Sequence, residues 1–170
     1  MAAAVVSHTR PDIGDKVKVE LWVSDMTGMD IFNLKRFREA QEGVYQTALA
    51  ELRNGKKLSH WMWFMFPQVS GLGTSPMALR YAIGSEAEAR AYLSDNILYS
   101  RLTEMTRAML DLKGVNARDV LGYPDDAKFR SCMTLFAAVS NDAVFNRALE
   151  RFFKGEADEL TLEFLRGSNA

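Results

Sequence analysis

The chain has 170 residues, of which 48% are hydrophobic, 25% charged and 11% aromatic, a globular composition long enough to bury a core without a metal or disulfide staple. Its 21 basic residues nearly cancel 22 acidic ones, and a net charge of -1 argues against nucleic acid as a partner, since a nucleic-acid-binding module normally shows a basic footprint. One cysteine, Cys132, and two histidines exclude an internal disulfide and a multi-cysteine zinc site, and fit the reducing cytoplasm.

Residues 1–28 differ in texture from the rest. Lys16 to Val23 alternates charged and apolar residues like a half-buried strand, with no comparable strand to pair with. We read 1–28 as an N-terminal extension, either disordered or docked loosely, and 29–170 as the folded domain. Met1 to Val6 lacks a basic leader, and Trp61 to Phe66 falls far short of the roughly 20 apolar residues that span a bilayer, so no membrane contact is expected.

From Asp30 the pattern is helical. Leu34, Phe37, Gln41, Val44, Tyr45, Ala48 and Leu52 recur at spacings of three and four, predicting one helix stopped by Asn54-Gly55. Leu58 to Phe66 is apolar almost throughout and ends at Pro67, which suits a short buried helix or a buried strand equally. Gln68 to Ser75 is a glycine-containing loop. Ser75-Pro76 then supplies an N-cap and a first helical proline, and Ser85 with Glu88 predicts a capping box opening the next helix.

Leu98, Leu102, Met105, Met109 and Leu112 form the stripe of a further helix, closed by Gly114. A short helical turn over Ala117 to Leu121 ends at Gly122, and Pro124 opens a helix burying Phe129, Cys132, Met133 and Phe136. Phe145, Ala148, Leu149 and Phe152 mark the next stripe, and Asp158 caps a last helix with Leu162 and Leu165. The sequence predicts an all-α domain of about seven or eight short helices.

No Walker loop, dinucleotide fingerprint, zinc-protease motif or nucleophile elbow is present. The densest stretch of candidate chemistry runs from Lys56 to Arg80. His60 could serve as a general base or donor, although its simpler use is a bond to a backbone carbonyl. On a helix Trp61 and Trp63, two positions apart, do not face the same side, so Trp63 is a candidate pocket wall. Gln68, Gly71, Gly73 and Ser75 lie on a loop before a helix start, where backbone N–H groups can meet an anion; a tight connection that needs glycine is the plainer reading. Gln41 interrupts an apolar stripe, and Lys128 and Ser131 flank Phe129 and Cys132, so each requires a polar partner. Arg80 and Arg101 could form an anion clamp, with surface exposure the default. Nothing nearby in sequence activates Cys132 as a nucleophile.

Phe37-x-x-Ala40-Gln41, Tyr45, Gly55-x-Lys57-x-Ser59-His60-Trp61-Met62-Trp63-Phe64-Met65-Phe66-Pro67-Gln68 and Gly71-Leu72-Gly73-x-Ser75 together resemble an uncharacterised bacterial family often labelled calpastatin-like. Glu88-Ala89-x-x-Tyr92-Leu93, Lys128-x-x-Ser131 and Phe152-Phe153-x-Gly155-x-x-Asp158-x-x-Thr161 continue the resemblance, which spans about Ile31 to Leu165. It implies an all-helical fold and supplies no reaction, cofactor or catalytic residue.

Two readings of function follow. In the first, Gln41, His60, Trp63, Gln68, Ser75 and Lys128 converge on a pocket for an anionic small molecule, with a phosphorylated or nucleotide-like compound the favoured class. In the second, aromatic and methionine side chains dock a protein partner without catalysis. The residues leave open whether the protein is an enzyme and which cofactor, if any, it uses.

Overall fold

The computed structural model describes residues 29–168, so the expected extension over 1–28 lies outside the described residues. The described residues fall into two units, 29–33 and the residues from Leu34 onward. The described part of the first unit is a turn in which Ile31 N–H donates to Met29 O and Asn33 N–H to Asp30 O, both at 2.9 Å.

Leu34 onward holds ten helices and no strand among the described residues. They are α1 (Lys35–Gln41), α2 (Tyr45–Arg53), α3 (Met62–Met65), α4 (Pro76–Arg80), α5 (Glu86–Ser94), α6 (Asn96–Asp111), α7 (Ala117–Leu121), α8 (Asp125–Val139), α9 (Ala143–Phe153) and α10 (Glu159–Ser168). The predicted continuous helix up to Leu52 is two helices. Gly43 sits at φ +72°, a left-handed conformation that ends α1 before Val44 starts α2. Leu58 to Phe66, open between helix and strand in the sequence, holds the single helical turn α3.

The core is built around α8, which packs against α5, α7, α9 and α10. Phe129, Cys132, Met133, Leu135 and Phe136 on α8 are fully buried. Their rings extend into two aromatic chains. One runs from Trp61 to Phe66 to Phe129, with 4.9 Å between the Phe66 and Phe129 ring centres; the other runs from Phe37 to Tyr92 to Phe136 to Phe145. The Phe37–Tyr92 and Phe66–Phe129 contacts are edge-to-face, an arrangement that adds to the hydrophobic gain of burial.

Local chemistry sets the helix ends. The Ser75 hydroxyl accepts from Ala78 N–H, Asp142 caps α9, and Asp158 accepts from Thr161 N–H at the start of α10. Ser85 accepts from Glu88 N–H, but the returning arm of the expected capping box is displaced: Glu88 Oε2 accepts from Gly84 N–H at 2.8 Å and Oε1 pairs with Arg36 at 2.6 Å. A long-range arginine draws the carboxylate away from the N-cap itself. Val69 and Ile83 form an isolated parallel bridge, with Ser70 N–H donating to Ile83 O and Ile83 N–H to Gln68 O. This clasp pins both ends of the segment that carries the glycine loop and α4. No helix among the described residues is long and apolar enough to cross a membrane.

A cavity between the glycine loop and the start of α8

The residues between α2 and α3 are organised by one carboxylate. Glu51 is buried near the end of α2, and its oxygens accept from Leu58 N–H at 2.9 Å, Ser59 N–H at 3.1 Å, Ser59 Oγ at 2.6 Å and Trp61 Nε1 at 2.8 Å. Burial pushes its carboxyl upward, but these donors outweigh it and bring the pKa down to about 2. The same bonds turn Trp61 fully inward. His60, the preceding residue, is exposed and does not line the cavity, so the structure does not carry it into the site as the sequence suggested.

Trp63, at the middle of α3, is half-buried and forms one wall of a cavity of about 420 Å³ open to solvent on one side. Gln68, Gly73 and Ser75 contribute the loop side, and Lys128 and Ser131 the α8 side. Asp158 and Leu160, at the start of α10, close a third side. Gly71 lies beside this space on a dimple of about 10 Å³ that shares Trp63, Gln68 and Gly73. Gly73 has a steric role: a Cβ there would stand 2.6 Å from Ala78 Cβ, so loop and α4 approach only without a side chain.

Gln41 and Arg101, expected with this group, form a separate cluster. Gln41 is buried; its amide nitrogen donates to Phe64 O at 2.8 Å and Tyr92 Oη at 3.3 Å, and its oxygen accepts from Arg101 at 3.3 Å. Arg101 stacks over the Tyr45 ring, whose hydroxyl donates to Glu104. These bonds satisfy the buried amide within the core, so Gln41 supports the α3 turn and lines no part of the cavity. Arg80, the other clamp candidate, is exposed and lies over the Tyr81 ring.

Two groups that matter to the site's electrostatics were not singled out in the sequence. Asp125, at the start of α8, holds Lys128 Nζ at 2.9 Å and Lys57 Nζ at 2.8 Å. The sequence marks Asp158 as a helix cap, a role it fills while also facing the cavity. Sequence spacing carries no sign of either arrangement, because Lys57 and Asp125 meet only through tertiary packing. Among the described residues, Lys128 is the one basic and Asp158 the one acidic side chain lining the cavity. The Lys128 ammonium also lies 5.2 Å from the centre of the Trp63 ring. The Ser131 hydroxyl donates to Ala127 O, which leaves its oxygen as an acceptor. Among the described residues there is no group of three or more side chains arranged to hold a metal ion.

Comparison with known proteins places the chain among proteins without an assigned activity. The family described as "Protein of unknown function (DUF1810)" matches residues 31–165. The crystal structure of the conserved hypothetical protein Rv1873 from Mycobacterium tuberculosis is similar, with 44% sequence identity and a TM-score of 0.79. That similarity covers 81% of this chain and 99% of the other. No curated protein matches the chain. Neither the family's description nor the similar structure's name carries the calpastatin label.

Proposed function

The chain belongs to the DUF1810 family of proteins of unknown function, and we propose that it binds an anionic small molecule in the cavity bordered by Trp63, Gln68, Ser75, Lys128 and Asp158. The observation that carries this reading is the cavity itself. At about 420 Å³ it falls in the size range of small-molecule sites, and its wall combines one flat aromatic face with a few convergent polar groups. Lys128 supplies the positive charge for an anionic end, phosphate above all, and Trp63 supplies a surface for a planar group such as a nucleobase. Gln68 and the oxygen of Ser131 add orientation. Buried Cys132 suits a reducing cytoplasmic setting. Near-neutral net charge speaks against nucleic acid as the ligand. A protein-docking reading has less support, since among the described residues lining the cavity Leu160 is the one strongly exposed large apolar side chain.

The test has two arms. Native mass spectrometry of gently purified protein should show a retained small molecule, or calorimetry should show binding of AMP. Lys128→Met and Gln68→Ala should each abolish it while the helical circular dichroism is unchanged. Absence of a retained mass together with no AMP binding, or binding indifferent to both substitutions, would remove the pocket reading.

A further inference from the structure

The proposed pocket has a cation whose anchorage suggests what it binds. Lys57, in the stretch after α2, and Lys128, on α8, share the Asp125 carboxylate, one on each oxygen, at 2.8 and 2.9 Å. The two lysines are held differently. Lys57 has a side chain only 9% exposed, its backbone N–H donates to Val120 O at 2.8 Å, and its ammonium lies 5.2 Å from the centre of the Trp61 ring. Lys128 is 23% exposed and lines the cavity. Two ammoniums share the Asp125 carboxylate, so Asp125 keeps a cation when one of them leaves; the second carboxylate near Lys128, that of Asp158 on the cavity wall, is bonded to Thr161. Burial pushes the Asp125 carboxyl up, but hydrogen bonds from Lys128 and Lys57 overcome it and hold the group below the ordinary carboxylate range. It is therefore an anion at neutral pH.

We propose that Lys57 is the fixed counter-ion of Asp125 and Lys128 the exchangeable one, so that the cavity takes a small singly charged anion by drawing Lys128 off Asp125. This rests on the pocket reading and narrows it. Release of Lys128 is inexpensive only because Asp125 stays paired with Lys57. Without Lys57, each departure of Lys128 would leave a half-buried carboxylate with no cation. The charges lining the cavity, one ammonium and one carboxylate among the described residues, also set the ligand class. A polyphosphate would bring several negative charges to one free ammonium and face Asp158 across the cavity. Asp158 Oδ2 already accepts from Thr161 N–H at 3.0 Å and Thr161 Oγ at 2.6 Å, while Oδ1 can accept from hydroxyl or amino groups of a ligand. The matching compound is a small carboxylate or phosphodiester that carries such donors.

Calorimetry on the full chain with glucuronate, glucose and ATP tests this. Glucuronate should bind, with glucose and ATP weaker by about tenfold or more. Lys57→Met should weaken glucuronate by about tenfold although Lys57 lines no part of the cavity, and Lys57→Arg should stay within about threefold of the native protein. Lysine side-chain NMR of the unmutated protein supplies a readout independent of how the variants fold: glucuronate should shift the Lys128 ammonium signal well beyond that of Lys57, which stays on Asp125. Glucuronate affinity changed by less than about twofold in Lys57→Met, ATP as the tighter ligand, or equal shifts of both ammonium signals would overturn the exchange mechanism. AMP binding that depends on Lys128, with glucuronate failing to bind, would remove this inference and leave the pocket. Failure of every probe, AMP included, would remove both.

Discussion

Replacing Glu51 with glutamine keeps the shape of the side chain and removes its charge, which makes it a sharp probe of how the site is held. In the native protein the carboxylate accepts from two backbone amides, the Ser59 hydroxyl and the Trp61 indole, and its pKa falls from 4.5 to about 2. Because the folded value lies below the unfolded one, the unfolded chain binds the extra proton first as pH falls. The associated stability is therefore complete above about pH 5 and is lost as pH drops from 4.5 toward 2. At about 1.4 kcal/mol per pH unit, the interval between those two values corresponds to about 3 kcal/mol. Glutamine behaves as a permanently neutral carboxyl, so Glu51→Gln should lower stability by about 3 kcal/mol at pH 7, or roughly 6–12 °C in Tm. Urea titrations across the acid range should show the two proteins converging toward pH 2, with the variant flatter. A variant within about 1 kcal/mol of the native protein at pH 7, or a gap that does not close in acid, would refute the carboxylate's proposed weight.

Two other consequences follow from the packing. Gly73→Ala places a methyl group 2.6 Å from Ala78 Cβ and should both lower Tm and weaken AMP or glucuronate binding, whereas Gly71→Ala meets no atom within 4 Å and should cost only the strain of its φ of +90°, about 1 kcal/mol; thermal melts of the pair separate the two effects. The Cys132 thiol is fully buried and burial pushes its pKa up, so a thiol reagent should label it only as the protein unfolds, and labelling at the same rate with and without denaturant would contradict that burial.

The sequence alone determined the helical architecture of the described domain, because helices are written in short-range features. Apolar residues three and four apart, Ser75 before Pro76, Asp158 before Thr161 and glycines after helix ends act on neighbours within one or two turns. Even the miss at Gly43 is local: its left-handed backbone divides an apolar stripe that runs on through the break. Half of the candidate site was readable for a related reason. Trp63, Gln68, Ser75 and Lys128 are polar or amphipathic groups set beside residues that must be buried, so they were bound to edge a packed region. Which edge was decided in three dimensions. Glu51 turned His60 outward by taking the amides and indole around it, and Gln41 found Phe64, Tyr92 and Arg101 inside the core. The pairing of Lys57 with Asp125 joins residues 57 and 125, with no periodicity between them. Such contacts depend on how whole helices pack and on which buried charge must find a partner, and those are properties of the assembled fold.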